Sequence, residues 1–287
     1  MSVELREADR RADLSLLRSI ASEALTRDVP RYTIHPGDIA WWVCHEDPRL
    51  ADSTSYWLWD DSGFVVVSKD EISAFTRPGL DVIPLIEWAR IRLGGKGTLG
   101  WVSDADSELV GYLSGRGDER VEAMHLYRMD LSPTGFGRAA LPDGWVLRPL
   151  AGEGEALARR EASYRAFAST MDPAQHLERY LRFMRSAVYD PERDLVAVAP
   201  DGRIAGFVIW WPDSSGIAQI EPFGTHPDFQ RQGVGRALIE YAFARMSAAG
   251  MRAVRVCTET TREPAATFYP AVGFVAVDRL GWWRPRA

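Results

Sequence analysis

The chain has 287 residues, 46% hydrophobic and 26% charged, which is ordinary globular composition. That length suits two domains of about 140 residues, and apolar runs such as 64–67 and 207–211 fall far short of the roughly 18–20 residues that cross a bilayer. A formal charge of −6 argues against a general nucleic-acid binder but leaves room for a small anion at a local positive site. The opening MSVELREADRRADL is charged throughout, unlike a secretory leader. Cys44 and Cys257 are too few for a disulfide framework, so a reducing, cytoplasmic setting is expected. Lys69 and Lys96 are the only lysines and asparagine is absent, a bias that a GC-rich genome or heat adaptation would give.

In chain order, residues 56–59 and 64–68 read as strands around the turn Asp60-Asp61-Ser62-Gly63, and 71–76 as a third strand. Helix is expected over 82–93, strand over 98–103, helix over 106–114 and strand over 121–131. The stretch RAALPDGW, 138–145, reads as a joint, with Pro142 and Gly144 as breakers. Beyond it, 146–150 is a strand and 153–168 a helix by propensity. Pro173 opens another helix, with Leu177, Tyr180, Leu181, Met184 and Val188 on one face. Strands over 195–199 and 204–211 flank Pro200-Asp201-Gly202, where Pro fixes φ and Gly accepts φ > 0. Then come a strand over 217–225, a long helix over 233–249 stopped by Gly250, a strand over 253–258, a helix over 263–272 and a last strand over 274–283. Strands beside helices on a mixed sheet indicate an α/β or α+β layered fold.

The segment from Ile220 to Phe243 carries the chemistry. A strand runs into His226-Pro227 and a loop, then Gly233-Val234-Gly235 at a helix start. The first N–H groups of a helix have no intrahelical partner, the dipole adds positive charge, and glycine permits close approach. Arg231 and Arg236 flank the turn and can add charge-assisted bonds. This is a site for a phosphate or pyrophosphate. It is not GxxxxGK[ST], since no Lys follows, nor GxGxxG, since no third Gly follows Gly235.

Gln230-x-x-Gly233-x-Gly235, preceded by His226-Pro227 at a strand end, resembles the acetyl-CoA-binding motif of the GNAT acyltransferases. REPAATFYPAVGF, 262–274, resembles that family's last helix, with Ala265, Phe268, Tyr269, Gly273 and Phe274 in matching places. Arg262 stands where the family has Asn. The resemblance covers 144–287. It implies two GNAT-like domains in tandem, each a mostly antiparallel sheet flanked by helices: a catalytic domain over 144–287 and a degenerate one over 1–140. The first half repeats the plan, with Thr76-Arg77-Pro78 like Thr225-His226-Pro227. Pro78 to Gly117 is 39 positions and Pro227 to Gly273 is 46, so the first copy is seven shorter, about the loop from Gln230 to Gly235. Leu113 falls where Tyr269 stands. One CoA site and one active site are therefore expected.

The resemblance implies acyl transfer from acetyl-CoA, without a metal, to a primary amine of a small molecule by direct attack. The amine must be neutral, the carbonyl oxygen gains charge, and the thiolate needs a proton. Backbone at Phe223, Gly224 and Thr225 would hold pantetheine and donate to the carbonyl oxygen. Amides of Gln230, Arg231, Gln232, Gly233, Val234, Gly235, Arg236 and Ala237 would hold the pyrophosphate, with Arg262 and Phe268 as further cofactor contacts. Tyr269 is the candidate general acid. Glu221, among Ile220, Pro222 and Phe223, is the candidate base, its pKa expected to rise by desolvation; Glu259 is a weaker candidate. His226 has no second His or Cys at ligand spacing, and Cys257 reads as a buried apolar residue.

Aromatic candidates for the acceptor pocket are Trp210, Trp211, Trp282, Trp283, Tyr164 and Phe167, although Trp282 and Trp283 cannot share one face of a strand. Tandem members of the family act on small amines, including amino-sugar-linked thiols and aminoglycosides. No nucleic-acid or membrane partner is expected, and monomer or homodimer stays open. The alternatives are another acyl-CoA or a hydroxyl acceptor, and a non-catalytic acyl-CoA sensor.

Overall fold

The computed structural model describes residues 3–25, 34–45, 54–131 and 141–286, so residues 138–140 of the expected joint lie outside the described residues. The chain divides into two compact units, Met1–Arg128 with Val256–Ala287, and Met129–Arg255.

The first unit begins with a short strand β1 (Arg6–Glu7) and helices α1 (Leu14–Leu25) and α2 (Pro36–His45), neither of which the sequence patterning had placed. Strands β2 (Thr54–Trp59), β3 (Gly63–Ser68) and β4 (Glu71–Thr76) follow as a meander. Helix α3 (Ile83–Arg92) leads to β5 (Thr98–Ser103), α4 (Ser107–Gly115) and β6 (Glu119–Asp130). Leu17, Ile20, Ile39, Leu58, Phe64 and Phe75 close one core of this unit under α1 and α2.

The second unit contains β7 (Val146–Pro149), α5 (Ala156–Ala166), α6 (Pro173–Met184), β8 (Asp194–Val198), β9 (Ile204–Trp211), β10 (Ile217–Thr225) and α7 (Val234–Ala248). Strand β11 (Ala253–Glu259) contains the division between the units. The order within this unit is β11-β10-β9-β8-β7, antiparallel except for the β10–β11 pair. All eight residues of β9 are buried, as expected of a strand covered on both faces. Gly152 stands before a turn of 3₁₀-helix over Glu153–Glu155, which delays the start of α5. Asp172 caps α6, its Oδ1 accepting from Gln175 N at 3.0 Å, and Pro173 occupies the first turn. Val188, expected on the face of that helix, lies beyond its end.

The chain then closes with α8 (Glu263–Ala271) and β12 (Val275–Arg284). Strand β12 lies between β5 and β6, antiparallel to both. Trp283 explains the insertion: it packs into the second core of the first unit with Ile72, Ile86, Leu99, Val102 and Leu113. The last strand of the chain thus completes the sheet begun by the first half.

One ion pair is wholly inside the second unit. Arg159 of α5 and Asp194 of β8 are 2% and 0% exposed, with Nε donating to Oδ1 at 3.2 Å. Tyr180 Oη of α6 donates to the other carboxylate oxygen at 2.5 Å. The guanidinium also stacks 3.9 Å from the Phe207 ring centroid of β9. Burial first, and the Asp194 charge second, push the Tyr180 phenol well above its ordinary pKa, so it stays a donor. Because removing one member of a buried pair strands the other charge, Asp194→Asn is expected to cost about 3 kcal/mol in urea unfolding. Glu153→Gln, at an exposed pair with Arg185, should leave the unfolding midpoint unchanged.

Candidate functional site

The site candidates start from one proline. Pro222 has no N–H to give to the ladder, and proline inside a sheet is tolerated at bulges. Strand β10 accordingly slips against β9: Ile220 pairs with Trp210, but Phe223 pairs with Val208, leaving one extra residue in β10. The Glu221–Pro222 peptide is cis. The carbonyl of Glu221, turned out of the ladder, accepts from Trp211 Nε1 at 2.8 Å. Trp211, expected to face an acceptor, is therefore committed to the bulge and is 3% exposed. Trp210 is 5% exposed. Pro222 in an otherwise unbroken strand was the signal that could have announced this bulge.

Beyond the slip, Phe223, Gly224 and Thr225 are half-buried, as is Glu221. Gly224 is required by packing: a Cβ there would stand 2.6 Å from Phe207 Cζ and 3.1 Å from Ala166 Cβ of α5. The end of β10 is thereby pressed against the last turn of α5. Thr225 then leads into His226, whose Nδ1 accepts from Asp228 N at 3.2 Å and caps a 3₁₀ turn over Pro227–Phe229. His226 thus has a structural task. Arg203 of the 200–203 turn holds this loop, bonding Asp228 at 2.8 Å and stacking 4.5 Å from the centroid of buried Phe229.

The turn into α7 is left-handed at two residues, Arg231 (φ +63) and Gly233 (φ +83). No side chain caps α7 at Gly233. Gln230 and Gln232 fold back on the loop, donating to Thr225 O at 3.2 Å and Asp228 O at 2.9 Å. Residues 230–233 are exposed, and Arg236 is exposed beside Glu240, at 3.5 Å. Val234 and Ala237 turn their side chains into the core, so only their main chains can serve a ligand. Gly235 is half-buried. This arrangement presents backbone N–H groups and dipole charge to an anion.

The first half differs at both points. Strand β4 pairs with β3 in unbroken register over its whole length, from Gly63–Thr76 to Ser68–Glu71. Its connection to α3 is six residues, 77–82, against eight, 226–233, before α7. The helices themselves are 10 and 15 residues long. The seven-residue deficit is thus mostly a shorter helix rather than a missing loop. Leu113 is fully buried in the core.

Tyr269 lies on α8 in the first unit and is 7% exposed. Its ring is 5.6 Å from Tyr127, 5.6 Å from Phe268 and 5.4 Å from Phe274. Phe268 is half-buried. Arg262 precedes α8 without capping it and sits 3.5 Å from Glu259, both exposed. Cys257 is half-buried rather than buried. Trp282 donates to Glu71 Oε1 at 2.7 Å and packs 5.5 Å from Trp101, while Trp283 enters the core, so the two do face opposite ways. Phe167 stacks edge-on to Phe207 at 5.8 Å, and Tyr164 to His176 at 5.6 Å, both in the second unit.

Among the described residues no helix is long and apolar enough to cross a membrane. Residues 159–274 match the model of the Acetyltransferase (GNAT) family. A curated relative, mycothiol acetyltransferase of Pseudarthrobacter chlorophenolicus, is 27% identical over 203 residues, 68% of this chain and 62% of the relative. The mycothiol acetyltransferase of Clavibacter michiganensis subsp. michiganensis is 34% identical over 92 residues, 31% of this chain and 30% of the relative. The chain thus spans less than two-thirds of these relatives' length. Among solved structures, a tandem GNAT protein from the clavulanic acid biosynthesis pathway superposes with TM-score 0.67 at 17% identity, covering 99% of each chain. A GCN5-related N-acetyltransferase from Sphaerobacter thermophilus gives 0.61 at 18%, covering 99% of this chain and 95% of that one. Residues 159–274 thus match a GNAT-family domain, and the fold is that of the solved GNAT structures.

Proposed function

We propose that this protein transfers an acetyl group from acetyl-CoA to a primary amine of a small molecule, using the phosphate turn of its second half. The observation that carries the reading is the coincidence of two features on one strand–helix unit, the slipped end of β10 and the uncapped left-handed turn into α7. The first half has neither the slip nor the eight-residue turn. The ladder of β10 with β11 ends at Gln219, and the edge beyond it, at Phe223 to Thr225, would serve pantetheine and the carbonyl oxygen that gains charge during attack. The turn offers amides from Arg231 to Arg236 to a pyrophosphate.

In this reading the amine attacks the thioester carbon directly. Glu221 takes the amine's proton, itself or through a water, and Tyr269 returns one to the departing thiolate. Arg262, in place of the family's Asn, contacts a cofactor phosphate or the acceptor. The curated relatives named as mycothiol acetyltransferases make amino-sugar thiols one arm of an acceptor panel.

The test is thiol release from acetyl-CoA over a panel of amines. Release with none of them would leave a CoA-binding protein without this activity. Calorimetry should find one CoA per chain, and two would overturn the assignment of the first half. Gly233→Ala forces a side chain into φ +83, at a cost of about 1–2 kcal/mol, and should weaken CoA binding. Gly233→Asn, which tolerates that conformation, should recover part of it. Tyr269→Phe should lower kcat about 10²-fold or more while leaving CoA affinity nearly intact; unchanged turnover would remove Tyr269 from the mechanism.

A further inference from the structure

The second unit holds a cavity away from the phosphate turn. Along β9, Gly206 lies against α7, where a Cβ would stand 3.3 Å from Val234 Cγ1, and the cavity opens at the other end of the strand, beside Ile209, Trp210 and Trp211. Strand β8 begins at Asp194, opposite Ile209, so Trp210 and Trp211 extend beyond it. Phe183 near the end of α6, then Val188 and Tyr189, wall the space that β8 leaves. The Phe183 ring stands 5.1 Å from Tyr189 and 5.7 Å from Trp211. Asp190 and Arg193 form the part-exposed side, paired at 2.7 Å, with the guanidinium 5.8 Å from the Trp210 ring centroid. The empty space is about 180 Å³, its open mouth included. A pocket that encloses a whole small molecule has roughly 300–1,000 Å³, so this one takes one end of a molecule.

The wall of this cavity contains an unmet donor. Trp210 is 5% exposed, and its Nε1 is buried without a hydrogen-bond partner among the described residues. A buried indole N–H ordinarily finds an acceptor, and leaving one bare is costly. The neighbouring polar groups are engaged. Trp211 Nε1 donates to Glu221 O at 2.8 Å and Tyr189 Oη to Asp194 Oδ2 at 3.4 Å. Asp190 accepts from Arg193 Nε at 2.7 Å and from Glu192 N at 3.0 Å. A buried water needs roughly two to four polar partners and meets mostly aromatic surface here. A group with one accepting oxygen and flat apolar faces matches the walls better.

We propose that this cavity is a binding site for a planar, largely apolar group bearing a carbonyl oxygen. The oxygen accepts from Trp210 Nε1, and Phe183, Tyr189 and Trp211 cover the apolar faces. The carbonyl belongs to a neutral amide or ketone rather than a carboxylate, because the Asp190 carboxylate lines the mouth and Arg193 is already bonded to it. The rest of the ligand emerges past that ion pair. The site does not rest on the transferase reading. Its occupancy reaches the slip in β10, because Trp211 lines the cavity while its Nε1 holds the Glu221 carbonyl.

The experiment is an NMR titration of the full chain labelled at the tryptophan indole nitrogens, with Trp210 and Trp211 assigned through Trp210→Phe and Trp211→Phe. The probes are benzamide, which has the carbonyl, and toluene, which lacks it. Benzamide is expected to saturate, to move the Trp210 Nε1–H resonance downfield as the bond forms, and to shift Trp211 with it. It should bind roughly three- to tenfold more tightly than toluene. Trp210→Phe should bring benzamide down to the affinity of toluene, read at Trp211. Val188→Phe, which puts a ring into the space, should abolish the shifts. Non-saturating shifts, an unmoved Trp210 resonance, equal affinity for the two probes, or unchanged binding in Val188→Phe would each overturn the site. If Trp210→Phe does not fold, the probe comparison and Val188→Phe decide. Acetyl-CoA added last should leave the Trp210 shift in place; displacement of benzamide would make the cavity part of the coenzyme's own site and overturn the proposal. If no amine is acetylated in the screen, the transferase reading fails and the titration still decides this site.

Discussion

A missing N–H at Pro222 is the constraint on which the second half turns. Without that donor β10 cannot keep register with β9, and the strand gains a residue between Ile220 and Phe223. Everything C-terminal to the slip is shifted relative to a regular ladder. The Glu221 carbonyl points to Trp211, Gly224 comes down on Phe207 and Ala166, and Thr225 enters the loop before α7. A glycine at 224 and a tryptophan at 211 are therefore parts of one device. The first supplies room for a strand pressed against α5, and the second satisfies a carbonyl that the slip would otherwise leave bare.

The two halves differ in how a strand hands over to a helix. Strand β4 is all that β10 would be with no proline: six residues in continuous register with β3. Helix α3 starts from Val82 in right-handed conformation with Pro84 in its first turn. That start is rigid and is reached by a short connection, where the second half has two left-handed residues and a long one. Leu113, at the position expected to match Tyr269, fills the core with Trp283 and Ile86. Hydrophobic burial is a sufficient reason for a residue facing a closed interior, and none of these changes disturbs the meander.

Much of this was legible from residues alone. The period of the apolar residues gave the strands 71–76, 98–103, 204–211 and 217–225 with their ends correct, because turn residues bracket each one. Gly233 and Gly235 placed the turn into α7, but its left-handed residues, Arg231 and Gly233, were not read from the sequence. Helix α1 does carry a helical period, with Leu14, Leu17, Ile20 and Ala21 on one face, and was missed all the same; α2 gives little signal because it is apolar nearly all round, Ile39, Ala40, Trp41, Trp42 and Val43 in a row. The placement of β12 was also out of reach. Sequence order says which strand comes last, but pairing partners are chosen by complementary burial, and Trp283 finds its core beside residues some 170–210 positions earlier in the chain. The shorter helix α3 was mistaken for a shorter loop because a count between two landmarks cannot say where the residues went.

The buried arginines follow a further logic. Arg159 and Arg160 are neighbours on α5, both almost fully buried, yet they face different surroundings. Arg159 is met by a carboxylate, a phenol and an aromatic face, so its desolvation is offset from three sides. Arg160 has Glu161 at one nitrogen, at the protein surface, and a bare Nε inside. Two adjacent residues of one type in one helix are thus met differently, one on three sides and the other by a single surface carboxylate. The saturated arginine fastens α5 to the sheet, and its neighbour is thereby held in place with bonding capacity left over.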